Sequence, residues 1–355
     1  MIKPELLKPE LLKPGDSVAV VSLSSGMPGE EFCSHNIEIG TKRLKEFGLK
    51  PVFMPNSLKG IEILKEHPQQ RAKDLKQAFL DNSIRGIICA IGGDDTYRLL
   101  PYLMEDEVFI QAVRQSPKLF LGFSDTTVNH LMFHRLGLRT FYGQCFICDI
   151  AEMAEEMLPY TRERFLGCFH GFQTIKPSAL WYEERKDFSR AAMGTDRISH
   201  EEIHGYELLC GRQVFEGELL GGCLESIYDM LVSKRYPDES EICRKYRIFP
   251  EQEEWKGKIM FLETCEEKPE PELLYRELRT VEKTGAFEVI SGIIVGKPQD
   301  EQYYEEYKEV YLEIFGSRNL PVLYNVNFGH AMPRAILPYG ARVRADSGRQ
   351  EIVFL

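Results

Sequence analysis

Along residues 17–144, short apolar runs alternate with stretches in which apolar side chains recur every three or four positions. SVAVVSL (17–23), KPVFMP (50–55), IRGIICAIGG (84–93), KLFLGF (118–123) and RTFYGQ (139–144) have the length and composition of strands. Between them, residues 34–47 carry a helical period closed by Gly48. QQRAKDLKQAFLDN (69–82) sets Ala72, Leu75, Ala78 and Phe79 on one side of a helix. Such alternation predicts a parallel sheet with helices on both faces. In sheets of this kind the functional groups collect at the carboxyl ends of strands. Gly92-Gly93-Asp94-Asp95 and Ser124 both sit at such ends.

The period breaks down over residues 170–213, a polar stretch read as the crossover between two domains. It resumes with VFEGELLGG (214–222), a helix over 223–233, a polar segment to 256 and KGKIMFLE (256–263). A helix at 270–284, VISGIIVG (289–296), a helix at 302–316 and LPVLYNVNF (320–328) follow. GARVRADSGRQEIVFL (340–355) reads as two short strands about an Asp-Ser-Gly turn. The expected organisation is an N-terminal extension (1–15), an α/β domain (16–169), a linker (170–213) and a second α/β domain (214–355). The doubled KPELL near the start is too short to build a repeat architecture.

At 355 residues the chain can bury two cores, and 43% apolar with 28% charged residues is the balance of a soluble globular protein. A net charge of −11 without a compact basic stripe excludes nucleic acid as the expected partner. No eighteen apolar residues run together and the N-terminus holds no signal-peptide core, so no membrane partner and a cytoplasmic location are expected. Nine scattered cysteines, as in Ile88-Cys89-Ala90, read as buried thiols of a reducing compartment. Cys145 and Cys148 have redox or half-zinc spacing, but no second pair matches it, which favours a structural role.

Four groups of residues bear on chemistry. HEEIH (200–204) matches H-E-x-x-H, which on a helix would make His200 and His204 zinc ligands with Glu201 as general base. Gly205 directly after it and the polar flanks favour a loop or helix end instead. GGDDT (92–96) resembles a kinase phosphate loop, yet Asp95 stands where a third glycine would leave the backbone open to phosphate. His130 and His134 share a helix face without an acidic partner in register, as core or interface histidines do. In GFSDTT (122–127), Ser124 either starts a helix or is a nucleophile on a sharp turn, although the second glycine of a nucleophile elbow is missing. Glu263 and His330 each follow a strand, where a carboxylate and an imidazole can converge on a serine.

GFSDTTVNHLMFHRLGLRTFYGQ resembles the nucleophile segment of the LD-carboxypeptidase and microcin C immunity peptidase family. AIGGDDTYRLLPYL resembles its Gly-rich turn, and LLGGCLESI its L-x-G-G segment. FLETCEEKPEPELLYRELRTV and NFGHAMPRAILPYGARV resemble its glutamate and histidine blocks. The resemblance runs from about residue 15 to the end of the chain. It implies Ser124 as nucleophile, His330 as general base and acid, and Glu263 as the group that orients His330. The oxyanion hole falls at the backbone N–H groups of Asp125 and Gly93.

The same resemblance implies a flavodoxin-like parallel-sheet N-terminal domain and a C-terminal α/β domain with a swivelling β-layer. The assembly it implies is a homodimer, without metal or cofactor. The expected substrate is a small peptide, such as a murein L,D-peptide, or a peptidyl- or aminoacyl-nucleotide. Length around 170–213 and 234–256 is closer to the microcin-immunity branch, in which Trp181 and Tyr206 become candidates for stacking on a nucleotide base. Arg276 becomes a candidate partner for a substrate carboxylate, and Arg276 and Arg279 equally suit surface ion pairs. The competing readings are a zinc peptidase using His200, Glu201 and His204, and a non-catalytic peptide- or nucleotide-binding protein on the same scaffold.

Overall fold

The computed structural model describes residues 6–355. Its first sheet is built from β1 (Ser17–Val21), β2 (Lys50–Phe53), β3 (Ile84–Cys89), β4 (Leu119–Gly122) and β5 (Phe141–Tyr142), all parallel. Their spatial order, 2-1-3-4-5, is the flavodoxin-like doubly wound order. The two-residue period of β1 divides its side chains between two cores. Ala19 and Val21 face one with Leu75 and Phe79, while Val18 and Val20 face the other with Leu44 and Phe146. Buried on both sides, these strands read as continuous apolar runs, which is why they were visible in the sequence.

Two short strands follow in the segment read as a linker: β6 (Leu180–Tyr182) and β7 (Ser199–Glu201), paired antiparallel with Trp181 opposite His200. The second sheet contains β8 (Glu207–Cys210), β9 (Val214–Cys223), β10 (Lys258–Glu263), β11 (Gly292–Gly296) and β12 (Val322–Val326). β9 to β12 are parallel, and β8 lies antiparallel on the outer side of β12. β13 (Leu337–Pro338) leaves this unit and adds antiparallel to β5 of the first sheet. β14 (Arg342–Asp346) and β15 (Glu351–Phe354) then close the far edge against β9. Residues 207–210 therefore belong to the second sheet. ELLC is half-buried at an edge, so it lacks the apolar density of the inner strands.

The two sheets share one continuous apolar core, from Ala19 and Phe120 through Phe261 and Tyr324 to Ile352. Gly222 shows how closely the halves approach. Its φ is +147°, and a Cβ there would lie 2.5 Å from Thr127 Oγ1, the atom that accepts from Cys223 N at 3.0 Å. The end of β9 is thus seated on the helix Thr127–Leu136, which follows Ser124. The N-terminal extension also packs on the first domain. Leu12 is buried, and its N–H donates to Cys168 O at 2.8 Å.

Candidate active site

Strand β4 ends at Gly122, and the chain turns at once through Ser124 into a short 3-10 helix, Ser124–Thr126. Ser124 takes φ +65°, a conformation that costs a non-glycine residue roughly 1–3 kcal/mol and turns the side chain outward from the strand end. The turn is held from several sides. Tyr142 Oη accepts from Ser124 N at 3.1 Å, Thr127 Oγ1 donates to Ser124 O at 2.7 Å, and Asp125 Oδ2 accepts from Thr96 N at 2.9 Å. The Ser124 hydroxyl does not cap the helix. Gly92 packs directly against this turn: a Cβ on it would lie 2.8 Å from Ser124 Cβ and 2.9 Å from Oγ.

The hydroxyl meets His330 instead, with Ser124 Oγ 3.1 Å from His330 Nε2. On the other side of the ring, His330 Nδ1 is 2.7 Å from Glu263 Oε2, which also accepts from His330 N at 3.1 Å. A carboxylate receiving Nδ1–H fixes the tautomer with its free lone pair on Nε2, toward the serine. Tyr142 joins the two ends by donating to Glu263 Oε1 at 2.5 Å while accepting from Ser124 N. The ring edge of His330 packs on Phe123 at 5.0 Å, and Arg334 donates to His330 O at 2.9 Å.

A second carboxylate, Glu266, places Oε2 3.0 Å from the same Nε2. Burial works against a charge on His330, but Glu263 and the hydrogen bonds to Glu263 and Glu266 outweigh it and push its pKa up to about 10. The hydrogen bond from His330 in turn holds Glu266 down at about 2. Because the Glu266 side chain is 58% exposed, water screens this pair and its strength is that of a surface ion pair.

A small polar pocket opens beside Ser124, between the Gly93 and Asp125 backbone and the helices Leu224–Val232 and Glu239–Lys245. Its wall is acidic. Asp125 is pushed up to about 6, by burial first and by the neighbouring carboxylates after it.

The other sequence candidates lie elsewhere. The H-E-x-x-H reading is corrected: His200 and Glu201 lie on strand β7 and His204 in the following loop, so no helix brings the two imidazoles onto one face. His200 stacks on Trp181 at 4.2 Å and bonds Glu183, while His204 stacks on Tyr304 at 4.6 Å. The run is locally polar, and only its pairing with β6 reveals a strand. Among the described residues, one trio of metal-capable atoms converges, Cys223, Glu263 and His330, and two of its members are already bonded to each other.

The kinase reading of GGDDT is likewise answered by geometry, because Asp95 forms a bidentate, buried ion pair with Arg71 at 2.5 and 3.0 Å. His130 is a core residue. Its Nε2 lies 3.0 Å from Gly122 O, its Nδ1 2.8 Å from Thr140 Oγ1, and burial pushes its pKa down to about 3.

Trp181 is 9% exposed, covered by His200 on one face with Lys297 Nζ 5.2 Å from the ring centroid. Tyr206 is buried, and Arg276 is exposed on the helix Pro271–Glu282. None of the three lines the cavity beside Ser124. Arg279 pairs with Glu282 at 2.5 Å, a surface contact. Cys145 and Cys148 are free thiols, the first capping the turn Phe146–Ile150 and the second within it, with Cys148 N donating to Cys145 Sγ. Sequence reasoning missed Tyr142, Glu266 and the carboxylates of the cavity wall. Glu225 and Asp229, four apart on one helix, were the signal available.

The strand order and the two sheets define a mixed α/β protein with a parallel-sheet N-terminal domain, in which Ser124, His330 and Glu263 are brought into hydrogen-bond contact. The chain belongs to the LD-carboxypeptidase family: residues 18–143 match its N-terminal domain and residues 216–345 its C-terminal domain. It is similar to an MccF-like protein from Streptococcus pneumoniae solved in complex with AMP. That pair is 51% identical, with 96% of this chain and 98% of the other covered and a TM-score of 0.93. The Bacillus subtilis protein named "Probable murein peptide carboxypeptidase" is 24% identical, covering 96% of this chain and 91% of that protein. The microcin C7 self-immunity protein MccF of Escherichia coli is 24% identical, covering 80% and 77%. Among the described residues, no helix is long and apolar enough to cross a membrane.

Proposed function

We propose that the protein is a serine peptidase that hydrolyses an amide bond of a small peptide or of a peptidyl- or aminoacyl-nucleotide. The observation that carries this reading is the unbroken chain Glu263 Oε2–His330 Nδ1, 2.7 Å, and His330 Nε2–Ser124 Oγ, 3.1 Å. Ser124 attacks the amide carbonyl as His330 takes its proton. The N–H groups of Asp125 and Gly93, both on the wall of the adjoining cavity, hold the oxyanion. His330 then passes the proton to the leaving amine, and water repeats the cycle on the acyl-enzyme. Glu263 orients the imidazole and balances its charge without being protonated.

Murein peptides and aminoacyl-nucleotides each have support, from the names of the Bacillus subtilis and Escherichia coli relatives. The AMP bound to the Streptococcus pneumoniae protein favours a nucleotide leaving group. Nine free thiols favour a reducing, cytoplasmic setting, and the homodimer implied by the family resemblance belongs to the same proposal. The test is hydrolysis of a murein tetrapeptide and an aminoacyl-sulfamoyl adenosine side by side, with Ser124→Ala as control. Turnover of at least one, lost in the control, is expected. Equal turnover in the control overturns the reading.

A further inference from the structure

Glu225 and Asp229 on the helix Leu224–Val232, and Glu239 at the start of the helix Glu239–Lys245, line the cavity beside Ser124 and are 6%, 6% and 2% exposed. Each has an oxygen that meets no hydrogen-bond donor of the protein: Glu225 Oε1, Asp229 Oδ1 and Glu239 Oε2. Asp94 and Glu266 add two more carboxylates to the wall. Its one guanidinium, Arg235, is already committed to Asp229 Oδ2 and Glu267 Oε1, both at 3.2 Å. A buried carboxylate without a donor is costly, and the cost disappears when a cation brings its own N–H groups.

We propose that this cavity is a specificity subsite for a primary ammonium group on the acyl half of the substrate. The proposal rests on the peptidase reading, since it places the ammonium within one cavity of the attacking Ser124 Oγ. An anionic acyl side chain is disfavoured by the same wall. A bare metal ion fits it less well. Among the described residues, the only three metal-capable atoms within 4.8 Å of one another are those of Cys223, Glu263 and His330, so Glu225, Asp229 and Glu239 do not close around an ion. An ammonium needs only one or two of these oxygens, because its remaining N–H groups can donate to water.

The ammonium has two sources, a side chain or the free α-amino group, and four acyl groups separate them. Nα-acetyl-lysine carries only the first, free norleucine only the second, Nα-acetyl-norleucine neither, and Nα-acetyl-glutamate the opposite charge. Each is presented to the full-length protein on D-alanine and on sulfamoyl adenosine. The expected result is a kcat/KM for one of the two cationic acyl groups at least about tenfold above Nα-acetyl-norleucine, with the glutamate compound lowest. Glu239→Gln is expected to shrink that ratio severalfold.

Equal rates for all four, abolished by Ser124→Ala, overturn the subsite and leave the peptidase reading standing. No turnover of any compound, with Ser124 unlabelled by phosphonates, overturns the peptidase reading. Binding of n-pentylamine against 1-pentanol by calorimetry tests the cavity apart from catalysis. Amine binding weakened by Glu239→Gln upholds the subsite. No preference for the amine, or displacement of the amine by micromolar Ca²⁺, Mg²⁺ or Zn²⁺, overturns it.

Discussion

Glu266 Oε2 lies 3.0 Å from His330 Nε2, the same nitrogen that stands 3.1 Å from Ser124 Oγ. One imidazole edge is therefore shared between the serine it must deprotonate and a carboxylate that favours its charged form. His330 is held up at about 10 with both Glu263 and Glu266 in place, although burial opposes the charge. Glu266 thus favours the charged ring, which cannot accept a proton from Ser124, and so opposes the step that Glu263 prepares. Glu266 is more than half in solvent on the loop after β10.

The first prediction concerns pH. Only neutral His330 acts as base, so kcat/KM rises with pH on its acidic limb. Removing a carboxylate that stabilises the imidazolium lowers the pKa and moves that limb to lower pH. Glu266→Gln should shift it by up to about one pH unit, and Glu266→Asp by less. A pH profile of kcat/KM checks this, and a limb that moves to higher pH contradicts it.

Gly92 controls the position of the nucleophile by its lack of a side chain. A methyl group there would lie 2.8–2.9 Å from Ser124 Cβ and Oγ, so the serine must move. Gly92→Ala should lower kcat at least about a hundredfold while the far-ultraviolet spectrum is preserved, since a shift of about 1 Å suffices for such a loss.

Tyr142 bridges Ser124 and Glu263, accepting from Ser124 N and donating to buried Glu263. Burial and the Glu263 charge raise the pKa of its phenol, so it remains a donor at all ordinary pH. Tyr142→Phe leaves that carboxylate short of one bond, a loss of about 1–3 kcal/mol. Steady-state kinetics should show a fall in kcat of roughly tenfold or more with a smaller change in KM, and denaturant titration a lower midpoint.

The acidic cavity predicts an unusual pH dependence of stability. Glu239 and Glu277, raised to about 9 chiefly by burial, bind protons more tightly folded than unfolded. Stability from these groups is complete below the unfolded carboxylate range, near 4.5, and is lost as pH rises toward about 9. The thermal midpoint should therefore fall across pH 5–9, and the fall should be shallower in Glu239→Gln and in Glu277→Gln. A midpoint that rises with pH across that window in the variants and wild type alike is the opposing outcome.

The inner strands, and the three residues Ser124, Glu263 and His330 that the fold brings together, were legible because each has a local signature: continuous apolar runs for β1, β3 and β4, and polar residues at or just past strand ends. The parallel sheet followed from the alternation of strands and helices, and its flavodoxin-like character from the family resemblance. β13 was not legible, because two residues, Leu337 and Pro338, join a sheet nearly two hundred positions earlier in the chain. Residues 199–210 misled for a related reason. Their pairing partners, Trp181 and the β12 strand, are distant in sequence, and their own pattern is polar. The acidic cavity was hidden by the same separation: Asp125, Glu225 and Glu239 come from different elements, and only folding places their charges on one wall.

The central claim is that Ser124 is activated by His330. Mass spectrometry after treatment with a fluorophosphonate tests it most directly. The expected result is a single phosphonyl adduct on the peptide containing Ser124, absent from Ser124→Ala and formed at least about a hundredfold more slowly in His330→Ala. Labelling of Ser124 at the wild-type rate in His330→Ala, or hydrolysis that persists in Ser124→Ala, contradicts it.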